Sequence, residues 1–267
     1  MNVEKPSREL YVGEILSLTF NLYLSKFLQF FLPFLISGII IGIFTYAITS
    51  SFPIPTPPSI PTSPGAPLPY EELIAWFSAF LMATIMIVGL SGLVLWIVGT
   101  TITGVVIKNA SDQIEKGTSN LGVSFNFAIS KLPSLLVAQF VAGILIAIGM
   151  LLLIVPGIII AIMFLLALPA IIIERKGTLE SLGRSKKLVS KRWLKTFALL
   201  LVLGIIVLIV NGVAIVLAIP FNFIHPIINP LVTNIISAFV SPIYPIAITY
   251  LYYAMVAREN PPPQPTL

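Results

Sequence analysis

Long uncharged apolar runs alternate along the chain with shorter stretches that hold its charged residues. Four such runs occur, at 27–51, 73–107, 132–173 and 196–257. A helix needs about 20 apolar residues to cross a hydrocarbon core of roughly 30 Å, and each run is longer than that or close to it. The pattern predicts an all-α protein that crosses a membrane several times.

The two longest runs each contain residues that interrupt a helix. In 132–173 these are Val155-Pro156-Gly157, which favour a tight reversal. In 196–257 they are "PFNFIHPIINP" at 220–230, where three prolines and two asparagines oppose a continuous helix. The chain is thus predicted to form one membrane domain over 1–267, with an outward Pro-rich loop at 52–70 and a Pro-rich tail at 260–267. The six predicted spans are 27–51, about 74–104, 132–154, 157–173, 196–219 and 231–257.

A short pattern recurs before three of these apolar stretches. "FNLYLSKF" at 20–27 and "FNFAISKL" at 125–132 share Phe-Asn at the start and Ser-Lys near the end, and "SKKLVSKRW" at 185–193 places Ser-Lys in the same slot. Each copy precedes sequence that is long enough for two spans. The pattern predicts a unit of one amphipathic interfacial helix followed by a transmembrane hairpin, used three times.

Composition supports a protein that is embedded in the membrane. Hydrophobic residues make up 57% of the chain and charged residues 9%, whereas soluble domains carry about 25% charged residues. The absence of cysteine excludes disulfides, thiolate metal sites and thiol catalysis.

The distribution of positive charge predicts the orientation. With six spans, all 15 Lys and Arg residues fall on one side, and the other side holds Glu71 and Glu72. Cytoplasmic loops are rich in Lys and Arg. We therefore expect a multi-pass protein of the cell membrane with both termini in the cytoplasm.

Residues 174–195 concentrate eight of the 15 basic residues. Arg184, Lys187, Lys191 and Lys195 are spaced 3, 4 and 4 apart, which places them on one face of a helix with Trp193 opposite. The favoured interpretation is a topology signal on a helix in the headgroup layer. A second is a dock for an acidic partner or specific headgroups. Nucleic-acid binding is disfavoured, since the net charge is only +5 and one aromatic accompanies the basic residues.

Residues suited to catalysis are scarce. The single histidine, His225, has no nearby carboxylate in sequence, and the chain contains no metal-binding motif, Gly-rich phosphate loop or nucleophile elbow. The sequence predicts a protein that is not an enzyme and that needs no cofactor or metal.

Two amides, Gln139 and Asn211, fall inside predicted spans. An amide in hydrocarbon must find a partner, and a hydrogen bond between helices is the favoured interpretation for each. The alternative is that Gln139, Asn211 and a kinked last span line a cavity. The protein would then be a transporter or channel for an apolar or zwitterionic solute.

Two motifs carry a resemblance to a known group. "GEILSLTFNLY" at 13–23, and "ALPAIIIE" at 167–174 running into "SLGRSKKLVSKRW" at 181–193, resemble prokaryotic six-helix membrane proteins. That group includes the membrane domain attached to some glycerophosphoryl diester phosphodiesterases. There, hydrolysis belongs to a separate soluble barrel, and these 267 residues contain no such barrel, so the resemblance implies architecture more than activity.

The same motifs single out three charged residues, Glu14, Glu174 and Arg184. We expect Glu174 or Glu14 to pair with Arg184 or a nearby lysine and so tie the interfacial helices to the ends of spans. The leading functional hypothesis is a non-enzymatic membrane protein whose basic helix engages anionic headgroups or a partner. Its expected partners are the bilayer and a second copy of the chain, but no nucleic acid.

Overall fold

The computed structural model of the protein describes residues 5–59 and 68–259. The predicted tail at 260–267 and the middle of the predicted loop at 52–70 lie outside the described residues. The helices, in chain order, are α1 (Val12–Ser25), α2 (Phe27–Ser51), α3 (Tyr70–Lys116), α4 (Leu121–Leu152), α5 (Ile154–Phe164), α6 (Ala167–Ile173), α7 (Thr178–Val189), α8 (Trp193–Ala218), a 3-10 helix (Ile219–Phe223), α9 (Ile228–Ala238) and α10 (Ile243–Glu259).

Among the residues that the structure describes, six helical segments are long and apolar enough to cross a membrane, which confirms the prediction of an all-helical, multi-pass protein. Three of them are the single helices α2, α3 and α4. The other three join neighbouring helices: α5 with α6, α8 with the 3-10 helix, and α9 with α10.

The second span is much longer than predicted. α3 has 47 residues, which corresponds to about 70 Å at 1.5 Å per residue, against a hydrocarbon core of roughly 30 Å. The side chains in the first part of α3 are largely exposed, whereas most of those between Thr100 and Ile114 are buried by other helices. A helix of this length extends beyond the hydrocarbon core, and its last part belongs to a packed helical region.

The hairpin between the third and fourth spans turns earlier than the predicted site at 155–157. α4 ends at Leu152, Leu153 is extended with φ −162° and ψ 146°, and α5 starts at Ile154. Pro156 therefore lies in the first turn of α5, where its missing N–H has no helical partner to lose. The proline begins a helix here and does not end one.

The last span, which the sequence predicts to be kinked, is interrupted between α9 and α10. Residues 239–242 form turns between α9 and α10. Pro242 disfavours helical geometry in the residue before it, and Pro245 is tolerated in the first turn of α10. The predicted continuous span at 231–257 is thus two helices, α9 and α10.

The stretches before the three hairpins differ in form. α1 is a separate helix, because Lys26 leaves helical geometry with φ −126° and ψ 37°. The second stretch continues into the span as one helix, α4, which accommodates Pro133. The third, α7, is separate again. The threefold repeat therefore stays a prediction.

The apolar core lies around α10. Residues from Ile243 to Met255 are largely buried, and α10 contacts α1, α3, α6 and α7. Tyr253 donates or accepts a hydrogen bond with Ser111 of α3 at 2.7 Å, and the Tyr23 hydroxyl of α1 donates to the Phe239 carbonyl at 2.9 Å. The charged residues at the ends of these helices are therefore carried by a closely packed group of helices around α10.

Candidate functional site

Ion pairs between distant parts of the chain collect the charged residues at one end of the helices. Lys5 pairs with Glu115 at 2.9 Å, and Lys187 pairs with Glu259 at 2.6 Å. Similar pairs join α6 to α7 and the N-terminal segment to α8. We call this region, formed by residues 5–14, 108–116, 174–195 and 258–259, the basic end.

Arg184 lies at the centre of the basic end. Its Nε donates to both oxygens of Glu174, at 3.0 and 3.1 Å, and its Nη1 contacts Glu259. The Arg184 side chain is only 15% exposed. The structure thus places the predicted partners Glu174 and Arg184 together and adds Glu259, from the far end of the chain, which sequence reasoning did not identify.

This arrangement shifts the pKa values of both partners. Burial alone raises the pKa of Glu174, but its interactions with Tyr252 and Arg184 outweigh burial and leave that pKa below its usual range. Burial alone lowers the pKa of Arg184, but its bonds to Glu174 and Glu259 outweigh burial and raise that pKa above its usual value. Both groups are therefore held in their charged forms.

Glu14 has a different partner from the one expected. Its carboxylate contacts Arg8 and accepts a hydrogen bond from the Tyr11 backbone N–H at 2.7 Å. Glu14 therefore satisfies a free donor at the start of α1. The hydrogen bond from Arg8 is the larger cause, and the bond from the Tyr11 N–H the smaller cause, of a Glu14 pKa below its usual range.

Glu9 forms a second junction that sequence reasoning missed. Its Oε1 lies 2.8 Å from Arg192 Nε and 2.8 Å from Lys195 Nζ. Burial raises the Glu9 pKa, but the bonds to Lys195 and Arg192 together lower it below the usual range. The position of Glu9 before the first span was visible in the sequence, but its partners lie more than 180 residues away.

The predicted continuous basic stripe is wrong, since the helix ends inside it. α7 stops at Val189, Lys191 has a left-handed backbone with φ +66°, and Trp193 begins α8. α7 packs Leu188 and Val189 into the core, whereas α8 is an apolar span. The chain changes direction between α7 and α8, and this turn divides the predicted stripe.

The division gives the predicted lipid- or partner-binding residues different surroundings. Arg184 and Lys187 contact Glu259, whereas Lys195 contacts Glu9. Lys191 is exposed, and Trp193 is 47% exposed at the first turn of α8. Binding of lipid or a partner by these residues stays a prediction.

A cleft of about 480 Å³ opens between α7 and α10 at the basic end. Its charged lining consists of Lys186, Lys187, Lys191, Arg258 and Glu259. Four cations and one carboxylate give a net charge of +3. Gly183, Leu188, Ser190 and Met255 complete the walls. Residues 174–195 supply three of the cations, Lys186, Lys187 and Lys191, but only folding brings Arg258 beside them. We call this the α7–α10 cleft.

The two amides within the spans are not brought together. Gln139 accepts a hydrogen bond from the Thr100 hydroxyl of α3 and lines a cavity of about 450 Å³ with Trp96 and Tyr244. Asn211 donates to the Val207 carbonyl at 2.8 Å and accepts from the Ser237 hydroxyl at 2.6 Å, and it is not part of that cavity's lining. Both amides therefore make side-chain bonds between helices.

The remaining polar candidates give no further site. His225 accepts a hydrogen bond from the Ile227 backbone N–H at its Nδ1, at 3.3 Å, within its own loop. Over residues 5–59 and 68–259, no three His, Asp or Glu side chains are grouped so that they could hold a metal ion.

Comparison with known proteins identifies a family. The family model described as the membrane domain of glycerophosphoryl diester phosphodiesterase matches residues 128–267. The match begins within α4 and includes every described residue that lines the α7–α10 cleft. Searches of curated proteins and of solved structures gave no match.

Proposed function

The chain belongs to the family of the membrane domain of glycerophosphoryl diester phosphodiesterase, and from that premise we propose a non-enzymatic role at the membrane surface. In this proposal both termini and the basic end face the cytoplasm. The basic end engages anionic lipid headgroups of the inner leaflet of the cell membrane.

The observation that carries the proposal is where the lysines lie relative to the start of a span. Trp193 begins an apolar helical segment that continues to Phe221, and Lys191 precedes it by two residues. A partly exposed Trp at this position suits the boundary between headgroups and hydrocarbon. Lys191 is therefore within reach of the headgroup layer.

The ion pairs reduce the number of cations that can act on lipid. Arg184, Lys187, Arg192 and Lys195 each contact a carboxylate. In the described part of the chain, Lys186 and Lys191 form no ion pair within 4 Å. Each Lys near an anionic surface contributes about 1 kcal/mol. Lys186 and Lys191 together would therefore contribute about 2 kcal/mol, which is roughly a 30-fold preference for an anionic over a neutral surface.

Thermal melting of the full-length protein in neutral detergent tests the proposal. Added phosphatidylglycerol should raise the melting temperature more than phosphatidylcholine does, and the difference should shrink at high salt. Replacing both Lys186 and Lys191 by Gln should remove most of the difference. Lys131→Gln, which removes one charge elsewhere, should preserve most of it. Equal effects of the two lipids, or an effect that salt does not change, would contradict the proposal.

A second candidate function is transport of a small apolar or zwitterionic solute. The cavity beside Gln139, about 450 Å³ and lined mostly by apolar residues, favours it. Because the chain has no cysteine, Ala142→Cys in the cavity wall gives a single labelling site. In nanodiscs, a charged thiol reagent should modify this cysteine if the cavity connects to water. Protection to the level of a lipid-facing control, Leu208→Cys, would exclude an aqueous path.

A further inference from the structure

We propose that the α7–α10 cleft is a binding site for a phosphate monoester group, carried by a lipid headgroup or free in solution. The inference rests on the proposed function in that both place anions at the basic end. It goes further, because it assigns a defined pocket and a chemical class of ligand to it.

The charges that line the cleft are suited to an anion with more than one negative charge. The only carboxylate in the described lining, Glu259, is already held by Arg184 and Lys187. Lys186, Lys191 and Arg258 then remain without a carboxylate within 4 Å in the part of the chain that the structure describes. Three cations, from α7, the turn after it and α10, thus converge on one concave surface.

Arg258 supplies an independent indication of a ligand. Its Nη1 is buried and has no hydrogen-bond partner among the described residues. Leaving a buried charged donor without an acceptor is costly. Arg258 also lines the cleft, so a shift of its guanidinium towards a bound anion would supply that acceptor, and the planar group can bind two oxygens of one phosphate.

The backbone at Lys191 gives a second indication. With φ +66° it occupies the left-handed region, which glycine adopts more readily than any other residue. A glycine is common just after a helix ends, yet this chain has a lysine whose side chain lines the cleft. The conformational cost is consistent with a role for the ammonium group.

Charge and acceptor number favour a monoester over a diester. A phosphate monoester carries about −1.5 to −2 charges near pH 7 and three acceptor oxygens. A diester carries a single negative charge and has fewer free oxygens. A cleft with a net charge of +3 and several separate donors should therefore select the monoester.

The test compares two lipids and one soluble anion with the full-length protein. Nanodiscs of phosphatidylcholine receive equal fractions of phosphatidic acid, a monoester, or phosphatidylglycerol, a diester, and retained lipid is counted by native mass spectrometry. In a separate arm, inorganic phosphate is titrated into protein in pure phosphatidylcholine nanodiscs. The variants are Arg258→Gln, Lys191→Gly and the control Lys131→Gln.

We expect phosphatidic acid to bind at least about tenfold more tightly than phosphatidylglycerol, and each cleft variant to lose about tenfold. Lys191→Gly also relieves backbone strain, so its melting temperature should equal or exceed that of the wild type. Loss of binding in a variant that is no less stable would separate ligand contact from folding, even if Arg258→Gln folds poorly.

The other outcomes separate the sources and the two proposals. If only inorganic phosphate binds, and the cleft variants weaken it, the site takes a soluble phosphate. If phosphatidic acid and phosphatidylglycerol bind equally tightly, and both bind more tightly than phosphatidylcholine, the cleft proposal is overturned while the general headgroup proposal survives. If the binding of neither phosphatidic acid nor inorganic phosphate is weakened by the Lys191 and Arg258 variants, the cleft proposal is also overturned.

Discussion

The Arg184 guanidinium of α7 lies 2.9 Å from the Glu174 carboxylate at the end of α6, and both side chains are mostly shielded from solvent. A pair in this position is more than a surface contact, because it also neutralises charge next to the core. Removing one partner leaves the other with its burial cost uncompensated.

Arg184→Gln should therefore lower the free energy of unfolding by about 2 kcal/mol, between the values for exposed and buried pairs. The measurement is thermal melting in neutral detergent. Glu180→Gln, an exposed acid on the same helix, should change it by less than about 0.5 kcal/mol. In a double-mutant cycle with Glu174→Gln, effects that add within about 0.5 kcal/mol would show that the two side chains do not interact.

Two glycines make the close contact in the hairpin of α4 and α5. A Cβ placed on Gly149 would lie 2.9 Å from the Gly157 Cα, and one on Gly157 would lie 2.8 Å from the Met150 backbone N. Backbone atoms cannot move aside as a flexible side chain can. Gly149→Ala and Gly157→Ala should each destabilise the protein by about 1–3 kcal/mol.

Gly143→Ala on the same helix is the matched control, because a Cβ placed there would meet no atom of another described helix within 4 Å. It should be neutral or slightly stabilising, since alanine has the higher helix propensity. Comparable melting temperatures for all three alanine variants would show that the hairpin does not need the close approach.

The acid side of the pH–stability profile should depend on Glu9 and Glu174. Both have folded-state pKa values below the usual range, so their stabilisation is present above the unfolded pKa of about 4.3. It is lost as the pH falls from there through the folded values, because the unfolded chain takes up protons more readily.

The melting temperature should therefore fall as the buffer is taken from about pH 6 towards about pH 3, and less steeply in the double variant Glu9→Gln, Glu174→Gln. Glu72→Gln, at the first turn of α3 and outside the basic end, should retain the wild-type profile. A double variant with an unchanged slope would show that these carboxylates are not responsible.

Glu259 has opposite effects on stability and on anion binding. It holds Arg184 and Lys187, so Glu259→Gln should lower the melting temperature. The same change raises the net charge of the α7–α10 cleft lining from +3 to +4, so affinity for phosphatidic acid in nanodiscs should rise severalfold. Glu180→Gln, which is not in the cleft lining, is the control. A fall in affinity would show that Glu259 helps to form the binding surface.

The sequence by itself determined the membrane character of the protein. An apolar run longer than about 20 residues can be stable across the bilayer only as a helix, because its backbone groups must be bonded within the segment. That constraint is local, so the predicted first span at 27–51 coincides with the helix Phe27–Ser51, and six apolar helical segments could be counted among the described residues. The pairing of Glu174 with Arg184 was also a short-range expectation, since only ten residues separate them.

Only the tertiary structure decided which charges remain available. Glu9 meets Arg192 and Lys195, and Glu259 meets Arg184 and Lys187, across separations that carry no periodic signal in the sequence. The spacing of the basic residues predicted one helical stripe, but α8 must enter the membrane while α7 packs on the core. That change of direction divides the stripe at Lys191, and the packing of α7 against α10 brings Arg258 into the cleft.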